Sequence, residues 1–233
     1  MELIFDIGFN VGEFTQTCFN KFPNCSVVAV EANPELASNV SNHFYTKYNF
    51  TLLNNLVSDK EGELIDFYIS KYTTGVSTAS TTFMENSRFT KGSKNVEANS
   101  IKWEAPIKIE SISLDSMIER FGIPDLLKID VEGYELNVLK GLTQKVNDIC
   151  FEWHEEESEQ LYKILDHLES LGYEQFGLIG WFDEGDVFPK ATFSDKGDPY
   201  LEYPKNFYKR SELELEKLIN PERRINYGMF FVK

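Results

Sequence analysis

Five side chains that can hold or accept a proton fall in two short runs: Lys128, Asp130 and Glu132 in Lys-Ile-Asp-Val-Glu, and Glu152 and His154 in Phe-Glu-Trp-His. In both runs charged residues alternate with apolar ones after an apolar stretch, so each reads as a β-strand ending in charge. Ligands in open α/β sheets gather at the carboxyl ends of strands. Two such ends side by side would surround one crevice with an ammonium, several carboxylates and an imidazole. A neutral imidazole near pH 7 can take a proton from a hydroxyl, and nearby carboxylates stabilise the imidazolium that forms. His154 is therefore the first candidate base and Asp130 the second, with Lys128 beside them and Glu132 and Glu152 facing a substrate. His43 and His167 fall in predicted helices away from that edge. The carboxylates could also hold a divalent ion that acidifies the hydroxyl, although no spacing indicates one and no metal ligand is assigned. Taken singly, each group could equally be a solvated strand end or half of a structural ion pair.

A second constellation lies at the start, where Leu-Ile-Phe-Asp-Ile-Gly-Phe-Asn-Val-Gly-Glu-Phe-Thr runs from an apolar strand through a glycine turn into a helix. Gly8 takes positive φ without steric cost, Asn10 tolerates it better than most residues, and Gly12 lets the helix start pack closely on the strand. A ligand could then approach bare backbone at a helix N-terminus, where free N–H groups favour a carboxylate. A dinucleotide fingerprint would need a glycine where Asn10 stands and another three residues later. The acid at Asp6 instead suits a ligand carrying an ammonium as well as a carboxylate, a description that fits S-adenosylmethionine. Glu31, at the end of the β-branched run 26–31, is placed to accept from ribose hydroxyls. The alternative is a tight β-to-α turn that holds no ligand.

The elements that must position these groups follow from periodicity. Helices are predicted over 12–22, 34–47, 114–121 and after Gly133, and the best amphipathic pattern joins Leu161, Ile164, Leu165, Leu168 and Leu171. Strands are predicted over 50–57, 64–69 (as an added hairpin-like partner), 106–112, 124–130, 148–153, 173–179 and 226–232, with a charged helix over 211–219. Residues 70–105 are rich in Ser, Thr and Asn and long for a loop, so they read as a substrate lid or a surface excursion. Residues 180–225 read as an irregular C-terminal elaboration. Alternating strands and helices predict an α/β fold with a mainly parallel sheet flanked by helices.

A length of 233 residues suits one sizeable domain, 1–233, rather than two. A net charge of −15 without a basic run excludes nucleic acid as a natural partner. Cys18, Cys25 and Cys150 lack zinc or redox spacing and read as reduced thiols in a cytoplasm. The first strand begins within two residues of the N-terminus and no apolar run nears the roughly 18 residues of a membrane span, so a cytoplasmic chain with no membrane contact is expected. Nothing in the sequence specifies an oligomeric state.

Four runs together resemble the FkbM-like S-adenosylmethionine-dependent methyltransferases: the glycine-turn run, Val-Glu-Ala-Asn-Pro, Val-Ser-Asp-Lys-Glu-Gly, and above all Leu-Lys-Ile-Asp-Val-Glu-Gly-Tyr-Glu-Leu-Asn-Val-Leu-Lys-Gly. The resemblance covers about the first two thirds of the chain and implies a Rossmann-like class I methyltransferase fold. It also implies S-adenosylmethionine as cofactor, and O-methylation of a sugar or other small hydroxyl compound. The cofactor residues it implies are Asp6, Gly8, Asn10, Gly12, Glu31, Ser58 and Asp59. Two other functions stay in view. An NAD-linked oxidoreductase would want the missing glycine and a Tyr-x-x-x-Lys pair, and a non-catalytic binding domain on this scaffold would be expected to lose Asp6 and Glu31, which are both present.

Overall fold

The structure, a computed structural model, describes residues 1–40, 42–71, 73–92, 96–154, 158–182, 204, 206–213, 215 and 225–233. The chain opens with β1 (Leu3–Ile7), α1 (Glu13–Lys21) and β2 (Ser26–Val30). The helix expected over 34–47 is two short ones, α2 (Pro34–Ser38) and α3 (Asn42–Lys47). Asn33 starts α2 by accepting the N–H of Glu35, and Pro34 follows at the first helical position. The strand expected over 50–57 is likewise divided, into β3 (Asn49–Leu53) and β4 (Leu56–Val57), and β5 (Leu64–Phe67) follows. Residues 70–105 carry a 3₁₀ turn at Thr74–Val76 and two short helices, α4 (Thr81–Asn86) and α5 (Arg88–Lys91). The remainder runs β6 (Ile107–Ile112), α6 (Leu114–Phe121), β7 (Leu126–Ile129), α7 (Glu135–Lys140), β8 (Asp148–His154), α8 (Ser158–Ser170), β9 (Phe176–Phe182) and β10 (Ile225–Val232). Ser113 caps α6, and Gly122 ends it at a positive φ of 96°.

Seven strands form one sheet in the order β3-β2-β1-β7-β8-β10-β9. β1, β2, β3, β7 and β8 pair in parallel, whereas β10 inserts antiparallel between β8 and β9. This is the Rossmann-like class I methyltransferase architecture that the resemblance implied. β4, β6 and β5 make a separate three-stranded sheet, so the strand at 64–69 pairs with β6 and not with the main sheet.

The central strands are apolar on both faces because helices cover both. Ile4, Val27 and Ala29 meet Phe14, Cys18 and Phe19 of α1 on one side. Their neighbours Phe5, Val28 and Val30 meet Met117, Val138, Leu165 and Leu168 on the other. Of the helix expected over 211–219, the part at 216–219 lies outside the described residues, as does most of the elaboration at 180–225; residues 210–212 make a 3₁₀ turn. No helix among the described residues is long and apolar enough to cross a membrane.

The last strand is structural cement rather than a tail. Phe230 is fully buried, stacked on Phe151 with ring centroids 5.4 Å apart and edge-on to Trp153. Phe230→Ala is expected to destabilise the fold by about 3–5 kcal/mol, the range for emptying a buried aromatic site. Urea denaturation of both proteins measures it, and a loss under about 1 kcal/mol would mean that β10 is dispensable.

Candidate functional site

The first wall of the site is the turn after β1. Gly8 has φ 83°, and a Cβ there would sit 1.8 Å from the Asp130 carbonyl oxygen, so the turn and the end of β7 touch only because the residue is glycine. Asn10 follows at φ 50°, and Gly12 begins α1 at φ 85°. Glu31 holds this wall in place. Its Oε2 accepts the Asn10 backbone N–H and its Oε1 that of Asn33, both at 2.7 Å, which clips the turn to the end of β2. Burial pushes the Glu31 carboxyl above its ordinary pKa, while the two amide donors pull it back.

Beneath the turn lies a buried ion pair. Lys128 Nζ is 3.0 Å from Asp6 Oδ1 and 3.7 Å from Asp130 Oδ2, and donates to the Gly8 carbonyl at 2.7 Å. Thr15 of α1 donates to the other Asp6 oxygen at 2.6 Å. Burial opposes the lysine charge, but Asp6 and Asp130 outweigh it and hold the ammonium above its ordinary pKa. Burial raises the Asp6 carboxyl despite Lys128.

The second wall is the turn after β7. Expected alternation of Lys128, Asp130 and Glu132 along one strand face breaks at the end of β7: Lys128 points into the protein, and Glu132 is turned by a left-handed φ of 54°. Glu135, at the start of α7, accepts the N–H groups of Val131 (3.1 Å) and Gly133 (3.4 Å), while Thr78 donates to the Glu132 carbonyl at 2.7 Å. So held, Glu132 Oε2 lies 3.4 Å from His154 Nε2, and Glu152 Oε2 lies 3.1 Å from the same atom. Arg88 Nη2 meets the other ring nitrogen, Nδ1, at 3.0 Å, and the Phe83 ring packs 5.3 Å from the imidazole. Burial raises the carboxyls of Glu132 and Glu152, the latter to about 8, and Glu135 to about 7. Burial disfavours the His154 imidazolium, but the two glutamates more than offset it and draw the ring towards its charged form.

Between the walls runs an open cleft lined by Gly8, Asn10 and Glu31, by apolar Leu56, Val57 and Phe67, and by Asp130 and Glu132. Thr74 and Gly75 close over it, the Thr74 hydroxyl donating to the Asn10 side-chain oxygen at 3.1 Å.

Of the residues expected from sequence, Gly8, Asn10, Glu31, Asp130 and Glu132 line this cleft. Asp6 and Gly12 stand behind it; Ser58 is buried beyond Val57, bonded to Asp59 at 3.1 Å, and Asp59 is exposed. Glu152 and His154 join through Glu132. Arg88, Thr78 and Glu135 were missed. Glu135 was visible as an acid five residues after Asp130, but a polar, non-periodic segment offers no signal for the others. Glu132, Glu152 and His154 present atoms within 4.8 Å of one another, as divalent-cation ligands could. The set does not fit a cation, because a metal-bound imidazole turns its second nitrogen, as N–H, to an acceptor, and here that nitrogen faces a guanidinium, which can only donate.

The methyltransferase FkbM domain profile matches residues 6–174. Hexuronic acid methyltransferase AglP of Haloferax volcanii is 28% identical over 66% of this chain, a match that spans 56% of that protein. The 2-O-methyltransferase NoeI of Sinorhizobium fredii is 26% identical over 82% of this chain and 79% of its own. Among solved structures, a precorrin-6y C5,15-methyltransferase from Geobacter metallireducens aligns with the whole chain and 78% of its own, at 11% identity and a TM-score of 0.43.

The raised Glu135 carboxyl has a consequence for stability. A folded-state pKa of about 7 against an ordinary 4.5 means that its contribution is complete below 4.5 and is lost as pH rises through about 7. Glu135→Gln keeps an acceptor for the two amides and removes the titration. The stability of this variant should therefore fall less steeply between pH 4.5 and 7 than that of the wild type. Denaturation curves at stepped pH measure both slopes, and equal slopes would show that the Glu135 carboxyl does not titrate there.

Proposed function

The chain belongs to the FkbM methyltransferase family, and on that premise we propose that it moves the methyl group of S-adenosylmethionine onto a hydroxyl of a sugar or other small molecule. The observation that carries this reading is the composition of one cleft: a glycine turn, a strand-end carboxylate and an apolar slot at one end, carboxylates at the other. Glu31 would accept from the ribose hydroxyls, Leu56, Val57 and Phe67 would flank the adenine, and Gly8 and Asn10 would offer backbone to the amino-acid end. Asp130, on the cleft wall, suits the ammonium better than Asp6, whose oxygens are taken by Lys128 and Thr15. Asp6, Gly12, Ser58, Asp59 and Lys128 then serve from behind, by holding the turn and the strand ends.

S-adenosylmethionine supplies an electrophilic methyl on a sulfonium. The chain's own part is to fix the acceptor oxygen in line, an arrangement that can contribute roughly 7–11 kcal/mol, and to take its proton, a task worth about 10²–10⁴-fold. Asp130 and the Glu132, Glu152 and His154 cluster are the groups at hand for the proton. The name of one relative supports a sugar acid as acceptor, and that of the other supports oxygen as the methylated atom.

Calorimetric titration with S-adenosylmethionine and with NAD tests the reading, followed by a screen of hydroxyl acceptors. Glu31→Ala should weaken S-adenosylmethionine binding by about 1.5–3 kcal/mol, the range for hydrogen bonds to a charged group. Unchanged affinity in a folded Glu31→Ala protein, or a preference for NAD, would reject it.

A further inference from the structure

We propose that Arg88 is a positioning residue that holds His154 as the neutral ring with its proton on Nε2, so that Glu132, and not the imidazole, receives the proton of the acceptor hydroxyl. The second half of this rests on the methyl-transfer reading above; the first half does not.

The geometry leaves one protonation state of the ring. A guanidinium has five N–H donors and no acceptor, so Arg88 Nη2 at 3.0 Å from Nδ1 requires that nitrogen to present its lone pair. The imidazolium and the Nδ1–H tautomer would both set N–H against N–H. The ring proton therefore sits on Nε2, which lies within ion-pair distance of the carboxylate oxygens of Glu152 (3.1 Å) and Glu132 (3.4 Å). The two demands on the ring conflict, since these carboxylates draw a second proton to it and Arg88 excludes that proton. Donor against donor at 3.0 Å is the stricter condition, because no movement of a proton within the contact relieves it. The charged groups around the ring include Arg88 of α5, Glu132 of the turn after β7, Glu152 of its own strand, and Glu135 of α7, whose titration the ring influences, with Asp130 acting on both Glu132 and Glu152. Phe83 of α4 packs beside the ring.

The Nδ1 lone pair is thus committed to Arg88 and Nε2 carries the proton, and a base with no lone pair to offer cannot take another proton. Glu132 can. It is the member of the cluster that also lines the cleft, and its position is fixed by Thr78 at its carbonyl and by Glu135 at the amides on either side. Two carboxylates this close share a proton rather than both ionising, which leaves one carboxylate open near neutral pH. In the step, the acceptor oxygen bonds to the methyl carbon as the carbon–sulfur bond breaks. The sulfonium leaves as a neutral thioether, and the hydroxyl proton passes to Glu132. Docking of Arg88, which comes from the 70–105 segment, and loss of the second ring proton are then linked: low pH works against docking.

Imidazole ¹⁵N spectra of the ligand-free protein test the Arg88 half without any acceptor or cofactor, with three histidines to assign. The expected wild-type result at pH 7 is His154 as the neutral Nε2–H tautomer. Arg88→Ala should raise the His154 midpoint by about one unit or more, a tenfold gain in proton affinity, and Arg88→Lys, which restores a donor, should recover part of the shift. A doubly protonated His154 in the wild type, or the same titration in wild type and Arg88→Ala, would overturn the assignment. Once an acceptor is in hand, Glu132→Gln should lower kcat by about 10²-fold or more at unchanged cofactor affinity. Near-normal turnover would remove Glu132 as the proton acceptor. Absence of S-adenosylmethionine binding would fail the methyl-transfer reading alone and leave the spectra to judge Arg88.

Discussion

The pair formed by Lys128 and Asp6 is the contact on which the site depends. It joins neighbouring strands β7 and β1 at their carboxyl ends, and through the Gly8 carbonyl and the Thr15 hydroxyl it reaches the glycine turn and α1 as well. Four pieces of chain meet at one ion pair. A buried pair of this kind gains little over apolar packing, but loss of either partner leaves a naked charge in the interior and costs about 3–5 kcal/mol. Its value is therefore in specification: with the ammonium anchored to Asp6 and Gly8, the backbone after Ile7 and after Ile129 has little freedom to move.

The two walls above that anchor are built by the same device. In each, a residue other than glycine is held in the left-handed region, Asn10 in one and Glu132 in the other. In each, a buried glutamate accepts backbone N–H groups of the turn, Glu31 from Asn10 and Asn33, Glu135 from Val131 and Gly133. Such conformations cost on the order of 1–3 kcal/mol and persist where the surroundings over-determine them. The carboxylates do that, and the result is two turns whose side chains face one cleft.

This device marks the boundary of what the sequence makes legible. The glycine turn, Glu31 and the two charged strand ends could be read because they depend on local residue types and on order along the chain. The direction of Lys128 could not, since alternation predicts one face for Lys128, Asp130 and Glu132, and the strand stops after Ile129. Periodicity gave one helix over 34–47 and one strand over 50–57 where each is broken, and it could not tell that β5 and β6 leave the main sheet. The insertion of β10 between β8 and β9 is a non-local pairing that no local pattern encodes. Arg88 was invisible for the same reason: its partner is 66 residues away.

Composition does not reveal how residues 70–105 are held. Poor in aliphatics, the segment has little of its own to bury, which argues for looseness. Several of its anchors are instead borrowed from the site: Thr74 on Asn10, Thr78 on the Glu132 carbonyl, Phe83 and Arg88 on His154, while Trp103 ties the segment to itself through the Val76 carbonyl. Of these contacts only the one between Arg88 and His154 involves the side chain of an ionisable residue as a hydrogen-bond partner, so it is the one through which protonation bears on how the segment is held. Whatever alters the charge on His154 therefore acts, through Arg88, on how α5 is held beside the cleft as well.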